Sequence, residues 1–411
     1  MKRQYLLVLL STICFGCQSK KPTPAVDKSF GKSFQEELIL ADSGSIISIP
    51  EGIFGFDRSI SLDGISHITI KGAGKEKSIL SFINQKDGAE GMLIKADNIT
   101  LEDFTIQDSK GDALKLQDSK NVVIRNLKTT WTQGAKSTNG GYGIYPVACN
   151  NVLIEDCEAS YASDAGIYIG QSNLVIIRNN LAHHNVAGIE IENSRDVEAY
   201  NNIAENNTGG LLIFDMPGLP QANGARVKVH HNISRNNNFE NFAPEGGVVA
   251  TLPPGNGMVI IAHRDVEVYE NEITGYKTLG LGIISWYFTE RPLDLKNGFD
   301  PYYKNVYVHD NIFKRKKAIP DLTKEFGQMV NALFFAKPQD ILIDGIFDPN
   351  DPTNPLCLKD NGNELRFANL NAETAKGISD LKKLLDHKIE VFNCEQTAFE
   401  VEPATIALNA E

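Results

Sequence analysis

Clustered positive charge is the first thing this chain lacks. Its 40 Lys and Arg stand against 52 Asp and Glu, a formal net charge of -12, and no basic block follows Lys2 and Arg3. Nucleic acid is excluded as a partner on that ground, because binding phosphates takes grouped cations. The same acidity counts against a polyanionic substrate without excluding one. Long apolar runs are scarce too: beyond residues 5–15 none is long and apolar enough to span a bilayer as a helix. The four cysteines past the N-terminus, Cys149, Cys157, Cys357 and Cys394, lack the spacing of a metal site, so no metal or cofactor is expected.

What the chain does have is a repeat. Residues 175–181 read Val-Ile-Ile-Arg-Asn-Asn-Leu, and the phrase returns at 197–203 as Val-Glu-Ala-Tyr-Asn-Asn-Ile. Taking Ile177 as a register residue, the equivalent apolar positions are Ile70, Leu101, Ile124, Ile154, Ala199, Val229, Val268, Val308 and Ile343. Each is preceded two residues earlier by Ile or Val, from Ile68 to Ile341. A unit this short cannot bury its own apolar face, so successive copies must stack. Undisturbed copies lie 23 residues apart (154 to 177) or 22 (177 to 199), enough for three short strands and three turns. Parallel coils about 4.8 Å apart follow, wound right-handed by the crossover preference. The expected fold is all-β, with about ten coils over residues 34–346.

Three residues past the register position stand Asn180, Asn202, Asn232, Asn271 and Asn311. Asparagines at one turn of a stacked coil can bond amide to amide as a ladder. A second strand ten residues before the register position carries Leu114, Ile144, Ile167, Ile189, Met258 and Leu333. Residues 34–40 are expected to form a capping helix, 46–49 a first strand, and 380–390 a helix within a C-terminal appendage spanning 347–411. Insertions fall at 131–142, 215–226, 236–257 and 285–304, and long loops on a rigid array are where function sits.

Strand alternation then tells which residues face outward. Beside the register residue run Glu102, Arg125, Glu155, Arg178, Tyr200, His230, Tyr269 and His309, whose first four alternate in sign as a solvated charge ladder does. On the second strand the outward column is Lys115, Tyr145, Tyr168, Glu190, Leu212, Val259 and Phe334. A parallel row holds Gln117, Val147, Gly170, Glu192, Phe214 and Ile261. Apolar residues take over after Glu192, so the loops following Phe214 and Ile284 are expected to fold back over them. The ledge left at the edge, Tyr145, Tyr168, Glu190 and Glu192 with Asp215 entering the first loop, is a candidate carbohydrate site. Aromatic faces pack on sugar C–H surfaces, and carboxyls bind hydroxyls or act as acid and base. Lys115 and Arg226 are available as a base or clamp. Solvated surface residues, or a non-catalytic scaffold binding a partner protein through the loops, are the competing readings.

The N-terminus pairs Lys2 and Arg3 with the apolar run 5–15, then Gly16 and Cys17. This resembles a bacterial lipoprotein signal, in which Cys17 is the lipidated residue, although Cys14 stands where that pattern has an aliphatic residue. An ordinary signal, uncleaved or cleaved elsewhere, is the alternative. Residues 18–33, with Pro22 and Pro24, read as a tether. The protein is then exported and lipid-anchored in the envelope of a Gram-negative bacterium, in the periplasm or at the outer membrane. Outside the cytoplasm Cys357 and Cys394, both past the repeats, are the natural disulfide pair, whereas Cys157 on an inward position reads as a buried thiol.

The coil phrase resembles the right-handed parallel β-helix repeats of the pectate-lyase-like superfamily over residues 46–346. More closely, Tyr142-Gly-Ile-Tyr-Pro-Val147, Asp164-Ala-Gly-Ile-Tyr-Ile-Gly-Gln-Ser172, Gly188-Ile-Glu-Ile-Glu-Asn193 and Phe214-Asp-Met-Pro-Gly-Leu-Pro220 resemble a family of bacterial parallel β-helix repeat lipoproteins. That resemblance implies fold, export and a second exported protein as partner, and no particular activity. Alginate-type epimerases of the superfamily carry Tyr-Gly-hydrophobic-Asp-Pro-His-Asp. This chain is similar at Tyr142, Gly143, Ile144 and Pro146 but has Tyr145, Val147 and Ala148 where that phrase has Asp, His and Asp. The resemblance therefore implies neither epimerase nor lyase at those positions.

Overall fold

The structure is a computed structural model that describes residues 26–27, 29–351, 353, 356–394 and 399–408. Cys17 and the tether residues 18–25 lie outside the described residues. Three parallel sheets of 11 strands each stack as one β-helix. Sheet I contains the register residues, from Ile46–Ile49 to Leu356–Lys359. Sheet II is built mostly of three- and four-residue strands such as Leu181–His183. Sheet III carries the outward tyrosines and carboxyls, on strands that include Leu114–Gln117, Tyr142–Val147, Ala165–Gly170, Ala187–Glu192 and Gly209–Phe214. No helix among the described residues is long and apolar enough to cross a membrane.

Each coil leaves sheet I through a left-handed residue, in sequence Asp103, Asn126, Asp156, Asn179, Asn201, His231, Glu270 and Asp310. Asn and Asp enter that region most readily among residues with a Cβ, which explains their frequency there. The next residue points inward. The expected ladder runs Asn180, Asn202, Asn232, Asn271, Asn311 with amide contacts of 2.9–3.0 Å, and extends one rung further to Asn361. A second ladder, Asn185, Asn207 and Asn237, stands five residues further on at 3.1 and 3.0 Å. Aliphatic side chains, with aromatic ones such as Phe104, Trp131 and Tyr276 among them, line the rest of the interior, and Cys149 and Cys157 are buried free thiols.

The ends differ from the sequence reading in instructive ways. The capping helix is Phe30–Leu40, four residues longer at its start, because Phe30 packs on Phe34 and Phe54 at ring separations of 5.2 and 4.1 Å. Val26–Asp27 pairs with the strand Gly52–Gly55, so the ordered array begins inside the span expected to be tether. Ile341 and Ile343 are not the last register pair of sheet I. They lie on sheet III opposite Leu281 and Ile283, and Leu356 and Leu358 complete sheet I opposite Val306 and Val308. Leu333 and Phe334 belong to the helix Glu325–Phe334, not to a strand. Residues 347–411 contribute the strands Leu356–Lys359 and Phe367–Asn369, which carry the sheets on past 346. The helix expected at 380–390 is Ile378–Leu384, followed by a separate short turn of helix at Ile389–Phe392. Cys357 and Cys394 form the expected disulfide.

Candidate functional site

The outward column of sheet III is in register as read, Lys115 with Tyr145 and Tyr168 with Glu190 and Leu212, then Val259 and Gly282. Leu342, not Phe334, occupies the next place. Over the apolar part of this face the loops fold back as expected: Met216, Trp286 and Phe299 pack with Leu212, Phe214, Val259 and Ile261. The insertion after Arg235 joins them through Phe242, Val249 and Leu252. The ledge expected at the edge of that cover is itself buried. Tyr168, Glu190 and Glu192 retain 5%, 1% and 5% of their exposure.

Three tyrosines close over this ground. The rings of Tyr142, Tyr145 and Tyr168 stand 4.3–4.9 Å apart, each touching the other two. Lys115 Nζ lies 5.1 Å above the Tyr145 ring, a cation–π contact. The Tyr168 hydroxyl donates to Glu192 Oε2. Gly170 makes that reach available, since a Cβ there would stand 2.6 Å from the Tyr168 ring. Asp112, Lys115, Gln117, Tyr142 and Tyr145 keep partial exposure and form the outer rim.

Behind the rings the carboxyls are all shifted upward. Burial pushes Glu192 up to about 7. Asp164 is raised to about 7, first by burial and then by the charge of Glu192. Glu190 is driven well above the carboxylate range by burial, then by Asp164 and Glu192. Asp112 rises to about 6 through burial, offset in part by the Tyr142 N–H that donates to it at 3.1 Å. One oxygen each of Asp164 and Glu190 is buried without a hydrogen-bond partner among the described residues. Gly141 lies between two of these acids: a Cβ on it would be 3.5 Å from Asp112 Oδ1 and 3.9 Å from Asp164 Cβ. Sequence reasoning missed Asp112, Asp164 and Tyr142. A signal was present, since both aspartates sit in an Asp-Ala step immediately before a strand of sheet III.

Two expected participants stand elsewhere. Asp215 is wholly buried and accepts the Gly224 N–H on both oxygens at 3.0 and 2.9 Å, with His263 Nε2 3.7 Å away. It pins its loop from below, as Asn193 does through the carbonyls of Met216, Gln221 and Ala222. Arg226 is on sheet I, in a two-pronged ion pair with Asp196 at 2.6 Å, and is no clamp for this cleft. Among the described residues no three His, Cys, Asp or Glu side chains converge as a metal requires. Two open grooves lie away from the cluster, one beside the capping helix and one at the far end.

The family model described as right handed beta helix region matches residues 90–273 and 134–313, together more than half of the chain. The A-module of the Azotobacter vinelandii mannuronan C-5 epimerase AlgE4 is similar in structure with a TM-score of 0.50 and 14% identity, over 82% of this chain and 91% of that one. A DFA-IIIase variant of Arthrobacter chlorophenolicus A6 gives 0.51 and 13%, over 84% and 94%. These likenesses are of fold. In sequence, the pre-neck appendage protein of Bacillus phage B103 is 28% identical over 171 residues, 34% of this chain and 20% of that protein. The match thus spans about a fifth of the length of that relative. With its coils, its inward ladders and the family match in agreement, the chain belongs to the right-handed β-helix family, within the pectate-lyase-like superfamily.

Proposed function

We propose that this protein binds a polysaccharide across the tyrosine rim of sheet III and acts on it by acid–base chemistry at a glycosidic bond. The observation that carries this reading is the set of carboxyls raised to about 7 directly behind three clustered aromatic rings. A carboxyl that is still protonated near neutrality can protonate a leaving oxygen, and a partly ionised neighbour can take a proton from water. Glu192 and Asp164 are the acid and base pair. Tyr142, Tyr145 and Lys115 position the sugar, and Glu190, driven well above the carboxylate range by burial and then by Asp164 and Glu192, stays protonated beside them.

A neutral glycan suits this rim better than a uronate chain, whose charge would oppose ionisation of the carboxyls behind it. A polysaccharide substrate is supported by the mannuronan epimerase of the same fold. Epimerase chemistry is not, because Tyr145 packs among rings and Val147 and Ala148 supply no acid or imidazole. The test is incubation with a panel of neutral and uronate polysaccharides, scoring binding and products together. Joint replacement of Tyr142 and Tyr145 by Ala should abolish binding of the neutral substrate, and Glu192→Gln its turnover; unchanged binding in the first variant would remove this site from consideration.

Export and lipid anchoring through Cys17 belong to the same proposal, supported by the disulfide Cys357–Cys394, which needs an oxidising compartment. Palmitate labelling should mark the wild-type chain and fail in Cys17→Ser. The second reading is a scaffold for a second exported protein. It is favoured by Tyr287 and Leu295, 43% and 57% exposed on the loop after Ile284. A stoichiometric partner recovered from native membranes, with no turnover of any glycan, would select it.

A further inference from the structure

At the far end of the array the helix Glu325–Phe334 is followed by Phe335 and Ala336 at φ of 39° and 49°. Consecutive left-handed residues with a Cβ are strained, and such strain collects where a chain must aim a side chain. Here the turn leads into Lys337, on the wall of a groove of about 440 Å³ also lined by Phe334, Gln339, Arg366, Phe367 and His387. Neighbouring Arg315 is fully engaged, with the Asp340 carboxylate and the Glu364 carbonyl. Lys337 Nζ and the Arg366 guanidinium have no hydrogen-bond or ion-pair partner among the described residues. Gln339 spends its N–H on the Lys337 carbonyl at 2.9 Å and His387 spends Nδ1–H on the Phe367 carbonyl at 2.7 Å. Gln339 Oε1 and His387 Nε2 remain for something else.

We propose that this groove is a second ligand site, separate from the tyrosine cleft, and that it takes a small sugar acid. Two cations left unpaired on one groove, in a chain of net charge -12, call for an anion. Arg366 and Lys337 hold the carboxylate, the guanidinium by paired N–H donors and the ammonium as a point charge. Gln339 Oε1 and His387 Nε2 accept hydroxyls, and the ring of Phe334 receives the apolar face of the sugar. The volume suits roughly one to three sugar rings, not a folded partner. The inference stands apart from the reading of the tyrosine cleft, and either can fail alone.

The test titrates the whole chain with glucuronate and a uronate trisaccharide, followed by calorimetry and by NMR. Saturable binding is expected, weakened at least tenfold by Arg366→Ala and by Lys337→Ala, weakened by added salt, and unaffected by Glu192→Gln. Glucose should not bind. Both replaced side chains are exposed, and an unchanged melting temperature verifies that the fold is retained. Absence of saturable uronate binding would overturn the proposal. So would binding indifferent to both substitutions, or an acidic peptide that binds as tightly as the trisaccharide.

Discussion

Glu192 sits on a strand whose outward neighbours change from polar to apolar, and that position sets its acidity. Its carboxyl is buried under the Tyr168 ring and receives that phenol's hydrogen bond. Burial raises the group to about 7, and the hydrogen bond offsets only part of the rise. The linkage follows directly. Below the ordinary glutamate range the carboxyl is protonated in folded and unfolded chains alike. Between about 4.5 and about 7 only the folded chain keeps the proton, so stability falls as pH rises through that window and levels off above it. Glu192→Gln should flatten the fall, gaining on the order of 3 kcal/mol at alkaline pH by the usual free energy per pKa unit. Melting temperatures of both chains from pH 4 to 9 check it, and parallel curves would show that Glu192 is not the titrating group. His263 supplies the opposite limb. Burial lowers it to about 4, so its contribution is present above about 6.5 and is lost as pH falls toward 4. If Glu192 and Asp164 are the acid and base, the pH profile of turnover should bend near 7.

Single coils have little stability of their own, and the asparagine ladders show what joins them. Asn232 donates to Asn271 Oδ1 and to the Ala199 carbonyl, while its own oxygen accepts from the Asn202 side chain and from the Asn202 N–H. Asn232→Ala leaves several buried partners unmet at once, at about 1–3 kcal/mol for each unsatisfied group. A loss of roughly 3–4 kcal/mol after partial relaxation is expected. Asn361, the outermost rung, gives up three contacts where Asn232 gives up four, and Asn361→Ala should cost less, about 2–3 kcal/mol. Denaturant unfolding and amide exchange compare the two, and equal losses would mean that ladder position does not matter. The main ladder was legible because every rung keeps one offset from an apolar residue. The ladder at Asn185, Asn207 and Asn237 was just as regular, five residues on, and was overlooked. The helix Glu325–Phe334 was misread for the converse reason: Leu333 happens to fall ten residues before Ile343, where a strand residue would. Periodicity thus identifies elements inside undisturbed coils and misleads beside insertions. The depth of the site was not legible either, because outward alternation says where Glu190 points and nothing about how far the loops that cover the neighbouring apolar rows extend.

Within the sheets each coil pairs with its neighbours, so a local break need not spread along them, and one strap crosses several coils, where Ala404 packs on Val123, Leu153 and Ile176 and the N–H groups of Glu402 and Ile406 donate to Asp196 and Asn151. The disulfide Cys357–Cys394 closes a 37-residue separation and ties the last strand of sheet I to the short helix turn that ends the barrel, where Phe392 packs on Phe367 at 5.4 Å. Chain-entropy arguments put a loop of that length at about 4 kcal/mol. That energy belongs to the far end. It falls in the coils that carry Gln339, Arg366 and His387, and six or more rungs separate those from Tyr145. Reduction should therefore divide the two proposed sites. Amide protection is expected to drop across residues 339–369 while that of 142–192 stays, and uronate binding at the end groove should fall while glycan binding at the tyrosine rim persists. Exchange measured with and without a thiol reductant, alongside both titrations, decides it. If reduction lowers protection along the whole array at once, the coils are one cooperative unit and the independence of the two sites is wrong.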